Sequence, residues 1–340
     1  MQLRCDRIAE NFFERVRLLN FVAALSDKAS KNISELEENI RQAISDDPFI
    51  FEACAPLIRG GKRLRPMLML LCANAKTSCP NSRTMPLATA LELIHTASLV
   101  HDDIIDTSKK RRGVETANSK YGAQIAVLIG DYLFAKAFQL VAENNYGAQV
   151  QLILSKLVKQ LCIGEIMQDR SLFVVPSMSE YYQRINLKTA IFLSSCCQLG
   201  AIVAELDERE IERLAAYGTS LGLAFQIIDD VLDFVGDEKV TGKPHGGDLK
   251  SGVITLPVIR ALSTSKEAHA LKKIVTSETV TCADIDAAIK IICDTDAVDY
   301  CRTRAEAHIE AARVNLPSSL KISVALALEQ IAEFVVDRTR

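Results

Sequence analysis

Nearly every long segment of the chain carries its apolar residues at helical spacing, and this pattern limits the fold more than any other feature. Between residues 29 and 45, Ile33, Leu36 and Ile40 recur at intervals of three and four among charged residues, as on one face of an amphipathic helix. The segment 84–106 is apolar on almost all sides until its end, which predicts a central helix, and helical spacing also runs through 121–142, 148–168, 186–204 and 208–235. No stretch of useful length alternates between apolar and polar residues as a strand does. The sequence therefore predicts an all-α fold.

Residues that form turns are scarce, which also favours long helices. The 340 residues include only 15 glycines and 9 prolines, too few for many hairpins. No fixed-period repeat and no low-complexity linker divides the chain. We therefore expect one domain over residues 1–340, with helices layered around a central bundle and an N-terminal helix within residues 1–25.

Composition and charge exclude several classes of protein. With 49% hydrophobic and 24% charged residues the chain is typical of a folded protein. Its net charge of −3 argues against nucleic acid as a partner. No apolar run reaches the ~18 residues of a membrane span, so no transmembrane segment is predicted. None of the ten cysteines forms a CxxC pair, which indicates buried thiols in a reducing, cytoplasmic compartment.

Two copies of the pattern Asp-Asp-x-x-Asp occur near the ends of apolar helical segments. They consist of Asp102, Asp103 and Asp106, and of Asp229, Asp230 and Asp233. With 21 aspartates in the chain, chance would produce such a pattern about 0.08 times. Helical residues four apart share a face, so the outer carboxylates of each copy lie together.

These paired carboxylates require a cation. Like charges four residues apart repel, and negative charge near the C-terminal end of a helix opposes the helix dipole. The alternative, two solvated helix ends, fits poorly because both copies follow strongly apolar runs, where unpaired charge is costly. Carboxylate oxygens without neighbouring His or Cys suit Mg²⁺, which bridges a few carboxylates to substrate phosphates. The sequence thus predicts Mg²⁺ as the cofactor.

Basic residues elsewhere in the chain suit the phosphates. The segment 60–66 places two glycines and three cations at the start of a helix, where backbone N–H groups attract anions. Arg111-Arg112 offers two guanidinium forks, although it also resembles an ordinary helix stop. A lone His on an apolar helix is more often a core residue. His95, however, lies two turns before Asp102 on the same face, which makes it a candidate for binding. The Gly-rich loop 236–252 is a further candidate.

Seven short motifs occur in a fixed order. They are GGKRLRP at 60–66, HDDIID at 101–106, RRG at 111–113, GE-x-x-Q at 164–168, KT at 188–189, FQ-x-x-DD-x-x-D at 225–233 and GKP-x-G-x-DL at 242–249. Together they resemble the trans-polyprenyl diphosphate synthases, from about residue 40 to residue 260. The resemblance implies a single-domain helical bundle of the isoprenoid synthase type with a large central cavity. It also implies a homodimer that condenses isopentenyl diphosphate with an allylic diphosphate.

Residue roles follow from this resemblance. Asp102 and Asp106 resemble the ligands of a first Mg²⁺ site, with Asp103 beside them. Asp229 resembles the principal ligand of a second site, supported by Asp230 and Asp233. The residues that hold the allylic diphosphate correspond to Arg111, Lys188, Thr189, Gln226 and Lys243. The pocket for isopentenyl diphosphate corresponds to Lys62, Arg65, His95 and Arg112. Lys188 and Thr189 also count as catalytic, because the Thr189 hydroxyl could stabilise developing positive charge.

The segment 84–106 predicts the length of the product. A growing chain would run from the first Asp motif back along this helix, at about one isoprene unit per turn. Ala97 and Ser98, one turn before Asp102, are small, and Ile94 one turn further is aliphatic, so no bulky floor stops the chain. We therefore expect a heptaprenyl to decaprenyl product, about octaprenyl, of the kind used for quinone side chains and released at a membrane surface.

Several alternatives stay open. A short-chain farnesyl or geranylgeranyl diphosphate synthase would share the two Asp motifs. A terpene cyclase also ionises an allylic diphosphate but needs no second diphosphate pocket, so the basic residues at 62, 65 and 112 weigh against it. A regulatory subunit of a heteromeric synthase would be expected to lose its Asp motifs. A purely structural helical module does not account for a doubled motif.

Overall fold

A computed structural model describes residues 27–58, 63–111, 114–235 and 245–337, and its architecture is all-α as predicted. The N-terminal helix predicted within residues 1–25 lies outside the described residues. The helices are α1 (Asp27–Ala43), α2 (Pro48–Ile58), α3 (Leu64–Ala73), α4 (Asn81–Ile105), α5 (Ala117–Tyr121), α6 (Ala123–Glu143), α7 (Ala148–Asp169), α8 (Met178–Ile185), a π-helical turn (Asn186–Ala190), α9 (Ile191–Val203), α10 (Glu208–Val235), α11 (Gly247–Lys250), α12 (Leu256–Thr264), α13 (Ala268–Val275), α14 (Cys282–Cys293), α15 (Ala297–Asn315) and α16 (Ile322–Asp337).

A short hairpin interrupts the helices after α4. Strands β1 (Lys110–Arg111) and β2 (Val114–Glu115) are antiparallel, with Lys110 opposite Glu115. They form the only sheet in the described part of the chain. The sequence predicts no strand here, because two residues per strand are too few for an alternating pattern to be recognised.

The described chain divides into two compact units. The first contains the residues up to Val158 together with Ser195–Ala215 and Pro317–Leu328. Within this unit α4 packs against α1, α3 and α6. Leu91, Leu93 and Ile94 of α4 are fully buried, which confirms that the segment 84–106 is a central helix.

The second unit contains Lys159–Ser194 and Ala216–Leu316, and resumes at Glu329. Within it α12 packs against α8, α13, α14 and α15. Its apolar core includes Phe234, Leu249, Val258, Leu271 and Ile292.

Helices α7, α9, α10 and α16 each begin in one unit and end in the other. The boundaries between the units therefore fall inside helices. The prediction of a single domain over the whole chain stays a prediction.

Two described helical stretches are long and apolar enough to cross a membrane by length and mean hydropathy. In Ala123–Glu143, 33% of the most apolar window is buried, and in Met178–Val203 the fraction is 72%. The sequence has no uninterrupted run of about 18 apolar residues, which is a stricter criterion than mean hydropathy over a window, and so it predicts no such segment. The extent of burial in Met178–Val203 is typical of a core helix.

Candidate active site

The first Asp motif closes α4 in the first unit. The three carboxylates differ in exposure, since Asp103 is 1% exposed, Asp102 is half-buried and Asp106 is exposed. Asp106 is the C-cap of the helix, and its N–H donates to the carbonyl of Asp102. The motif therefore presents its outer carboxylates and turns its middle one inward.

Arg111 holds the buried carboxylate of the first motif. Its Nε donates to Asp103 Oδ1 at 2.8 Å. Burial raises the pKa of Asp103, and the Arg111 guanidinium opposes that rise. Asp103 Oδ2 is buried and finds no hydrogen-bond partner among the described residues. Arg111, which the resemblance assigns to the allylic diphosphate, thus already has a carboxylate partner.

A glycine on α6 allows α4 to approach closely beside this motif. A Cβ at Gly130 would collide with the imidazole ring of His101, the residue before Asp102. The same ring has Nε2 3.2 Å from the carbonyl oxygen of Val127. Gly130 therefore fixes the packing of the helix end that carries the first motif.

The basic segment at the start of α3 divides its cations between two tasks. Arg63 adopts the left-handed conformation with φ 49° and is 6% exposed. Its Nη1 donates to Glu92 Oε1 at 2.5 Å, and Nη2 donates to the carbonyl of Ile58. Arg63 therefore anchors the chain to α4. Two residues on, Arg65 Nη1 lies 3.1 Å from His95 Nε2, so two predicted residues of the isopentenyl diphosphate pocket are adjacent. Lys62 and Arg112, the other two, lie outside the described residues.

The second Asp motif lies on α10 in the second unit. As in the first motif, the middle carboxylate is buried, with Asp230 3% exposed and Asp229 half-buried. Asp230 accepts hydrogen bonds from Tyr181 Oη at 2.7 Å and from Gln226 Nε2 at 2.9 Å. Burial raises the pKa of Asp230 to about 7, while these two hydrogen bonds and the nearby Arg184 oppose the rise.

Asp233, the last carboxylate of the second motif, holds the end of the Gly-rich loop. Its two carboxylate oxygens accept from the N–H groups of Gly247 and Asp248, each at 3.1 Å. Its carbonyl accepts from the N–H of Gly246 at 2.9 Å. The carboxylate is therefore partly committed to the chain itself. Lys243, predicted in the same loop, lies outside the described residues.

Lys188 and Thr189 lie on the π-helical turn between α8 and α9. Irregular turns of this kind often occur at functional sites. Lys188 Nζ forms an ion pair with Glu165 of α7 at 2.6 Å, and Thr189 Oγ1 donates to Gln226 Oε1 at 2.6 Å. The structure thus joins Thr189 and Gln226, two residues that the sequence assigns to one substrate.

The donor sets of the two motifs fit a hard cation. Each offers partly exposed carboxylates, and the first also has the unpartnered Oδ2 of Asp103. In the described residues no three His, Cys, Asp or Glu side chains cluster tightly enough to enclose an ion. An ion held here would complete its coordination with phosphate oxygens and water, as Mg²⁺ usually does.

The predicted wall of the product channel is tightly packed. Ala97 and Ile94 are 0% exposed. Ser98 is half-buried, and its hydroxyl donates to the carbonyl of His95 at 2.8 Å. A prenyl chain that runs along Ala97 and Ile94 would have to displace side chains, whereas Ser98 offers accessible surface.

Four residues that sequence reasoning did not assign support the site. Tyr181 and Glu165 contact predicted residues directly, whereas Glu92 and Gly130 contact neighbours of predicted residues in the chain. Glu165 belongs to the motif at 164–168, which was recognised without a role for the residue. No sequence signal distinguishes the other three, because their importance depends on contacts between distant segments.

Comparison with known proteins gives a consistent result. The family model "Polyprenyl synthetase" matches residues 47–292. A heptaprenyl diphosphate synthase component 2 of Geobacillus stearothermophilus is 38% identical over 287 residues, 83% of this chain and 88% of that protein. A short chain isoprenyl diphosphate synthase of Methanocaldococcus jannaschii is 38% identical over 269 residues, 77% of this chain and 82% of that protein.

Among solved structures, a polyprenyl synthase from Caulobacter crescentus superposes with a TM-score of 0.86 at 33% identity. The match covers 94% of this chain and 98% of that one, and that crystal structure is complexed with calcium and isoprenyl diphosphate.

Proposed function

Because the chain belongs to the polyprenyl synthetase family and is therefore a prenyltransferase, we propose that it condenses isopentenyl diphosphate with an allylic diphosphate in a Mg²⁺-dependent reaction. Farnesyl or geranylgeranyl diphosphate serves as the starter. The product is an all-trans polyprenyl diphosphate of heptaprenyl to decaprenyl length, about octaprenyl, for the side chain of a quinone.

The arrangement of the two Asp motifs is the observation that carries this proposal. In each motif the middle carboxylate is buried and hydrogen-bonded, Asp103 to Arg111 and Asp230 to Tyr181 and Gln226. The outer carboxylates Asp102, Asp106 and Asp229 are then left at the surface of their helices as ligands. Mg²⁺ bound there would neutralise the charge that develops on the leaving diphosphate.

The allylic substrate is bound through its diphosphate. Lys188, Lys243 and Arg111 contribute positive charge for this group, and Gln226 contributes an amide N–H. Loss of the diphosphate leaves an allylic cation, which preorganised dipoles such as the Thr189 hydroxyl stabilise.

The second diphosphate needs a separate basic pocket. Arg65 and His95, 3.1 Å apart, form its described part, and Lys62 and Arg112 complete it. Isopentenyl diphosphate held there presents its double bond to the cation. We propose that the proton that is then lost passes to the departing diphosphate.

Product length follows from α4. Of Ala97, Ser98 and Ile94 only Ser98 has accessible surface, so a chain along α4 would pass Ser98. The lack of an aromatic side chain at all three positions supports a long product. A relative named for heptaprenyl diphosphate supports the same length, whereas one named for short-chain products supports the short-chain alternative.

We propose that the enzyme is a cytoplasmic homodimer that releases its product at a membrane surface. Large apolar side chains are exposed on α6, at Val127 and Leu128, and on α7, at Leu152, Ile163 and Ile166. Such faces favour contact with a second copy. The heteromeric alternative is favoured by one observation, the name "component 2" of a similar protein.

One incubation distinguishes these functions. The purified chain is given labelled isopentenyl diphosphate, each starter in turn and Mg²⁺, and the products are separated by length. We expect long polyprenyl diphosphates, abolished by EDTA and restored by Mg²⁺. Farnesyl or geranylgeranyl diphosphate as the final product would support the short-chain function. Hydrocarbon formed without isopentenyl diphosphate would support a cyclase, and inactivity of the folded chain alone would support the heteromeric subunit.

A further inference from the structure

A largely buried chain of hydrogen bonds connects α8 to the π-helical turn through α10. Tyr181 Oη donates to Asp230 Oδ2 at 2.7 Å, Gln226 Nε2 donates to Asp230 Oδ1 at 2.9 Å, and Thr189 Oγ1 donates to Gln226 Oε1 at 2.6 Å. Tyr181 is 0% exposed, Asp230 3% and Thr189 7%. All four side chains belong to the second unit.

This chain of hydrogen bonds has a defined direction. A carboxamide has one donating and one accepting end. Because Asp230 accepts from Nε2 of Gln226, the oxygen of the same amide faces Thr189 and must accept. The single proton of the Thr189 hydroxyl is therefore committed to Gln226. The hydroxyl can still accept, or present its negative end to a positive charge, but it cannot donate to a diphosphate oxygen.

Tyr181 keeps the chain in this direction. Without its hydroxyl, Oδ2 of Asp230 would be a buried oxygen that lacks this donor, a costly state. The amide of Gln226, which already donates to Oδ1 of the same carboxylate, could turn toward Oδ2 to satisfy it. That movement would draw Oε1 away from Thr189 and release the hydroxyl proton.

We propose that Tyr181 is a positioning residue, which acts through Asp230 and Gln226 to orient the Thr189 hydroxyl toward the allylic cation. This inference rests on the proposed prenyltransferase function. It makes the effect of Tyr181 specific to the ionisation step, because the hydroxyl gains its role only when positive charge develops.

The test compares Tyr181→Phe with wild type at pH 8, with a farnesyl diphosphate starter. We expect kcat to fall about 10- to 100-fold, the cost of misplacing a catalytic group by about 1 Å. The KM for farnesyl diphosphate should stay within about twofold, since the hydroxyl contributes nothing to ground-state binding. Affinity for the non-ionising farnesyl thiolodiphosphate, measured by calorimetry, should likewise be unchanged.

The matched control is Tyr182→Phe. Tyr182 is the adjacent residue, and its hydroxyl accepts from Arg304 Nε at 3.3 Å. This contact is not part of the hydrogen-bond chain that contains Tyr181. The Tyr182→Phe variant loses the same hydroxyl oxygen as Tyr181→Phe and should keep the wild-type kcat. An equal fall in kcat for both variants would mean a general effect on the fold and would overturn the proposal.

A double-mutant cycle gives the decisive result. In a Thr189→Val background Tyr181→Phe should change kcat less than about threefold, because the hydroxyl that it orients is gone. An unchanged, fully additive loss would overturn the proposal while wild-type activity still supports the prenyltransferase function. Should Tyr181→Phe fail to fold, Gln226→Met interrupts the same chain at its middle. Thr189→Val must then be nearly silent in that background, and an additive loss would again overturn the proposal.

Discussion

Lys188 forms an ion pair with Glu165, with Nζ 2.6 Å from Oε2, so a predicted diphosphate ligand already carries a negative partner. The side chains of Lys188 and Glu165 are 26% and 15% exposed. In the proposed role of Lys188, an arriving diphosphate would compete with Glu165 for the ammonium group, so the ion pair would lower substrate affinity.

We expect Lys188→Ala to raise the KM for the allylic diphosphate about tenfold or more, because one charged hydrogen bond is lost. Glu165→Gln should lower that KM or leave it unchanged, since it frees the ammonium group. Steady-state kinetics with varied starter measures both, and Lys156→Ala, at an exposed position of α7, is the control. A rise in KM for Glu165→Gln that matches Lys188→Ala would show that Glu165 itself contacts the substrate.

The two diphosphate pockets should separate in kinetics. Arg112→Ala is expected to raise the KM for isopentenyl diphosphate about tenfold and to affect the starter less, because an arginine fork to phosphate is lost from one pocket only. Lys188→Ala should show the reverse preference. Initial rates over a grid of both substrates measure the two constants. Equal effects of both variants on both substrates would remove the two-pocket model.

Within the first Asp motif, substitution of Asp102 should mainly affect catalysis and substitution of Asp103 should mainly affect stability. Asp102→Ala should cost at least about 100-fold in kcat but change the free energy of unfolding little, because it also removes a like charge at a helix end. Asp103→Ala should lower the free energy of unfolding by about 1–3 kcal/mol, since Arg111 loses its buried partner. Urea unfolding and kcat, measured on both variants, test this. An unfolded Asp102→Ala would indicate a structural role for that residue.

Ala97→Phe should shift products toward farnesyl or geranylgeranyl diphosphate, because the ring would fill the path along α4. Ala97 is 0% exposed, so the added volume should also cost about 1–3 kcal/mol of stability. Ser98→Phe, at a half-buried position one residue on, should shorten the product with a smaller loss of stability. Chromatography of the products measures the lengths. Wild-type product length in both variants would mean that the channel runs elsewhere.

Gly130→Ala should destabilise the protein by about 1–3 kcal/mol, because the new methyl group collides with the ring of His101. In a His101→Ala background the same change should be neutral or stabilising, since alanine is the better helix former. Thermal or urea unfolding of the four variants measures the coupling. The same loss in both backgrounds would contradict the collision as its cause.

The sequence predicts the all-α class and most helices because the apolar spacing is local information. It also identifies Asp102, Asp229 and Lys188 through short motifs. It cannot predict that Asp103 and Asp230 turn inward, since the letters of the Asp motif are identical and the difference depends on Arg111 and Tyr181. Arg63 illustrates the same limit, because its left-handed backbone and its contact with Glu92 commit the guanidinium to α4. Tertiary contacts, which local patterns do not encode, decide which carboxylates of an Asp motif are exposed and which one is buried.

Helices α7, α9, α10 and α16 pass without interruption from one compact unit to the other. A helix is held by hydrogen bonds between each residue and the fourth before it, so its two halves lose structure together more readily than they separate. Neither unit can be cut out at its boundary without breaking four such ladders. Heat or denaturant should consequently melt both units in a single cooperative transition. A destabilising substitution next to either Asp motif would then lower the free energy of unfolding of the whole enzyme.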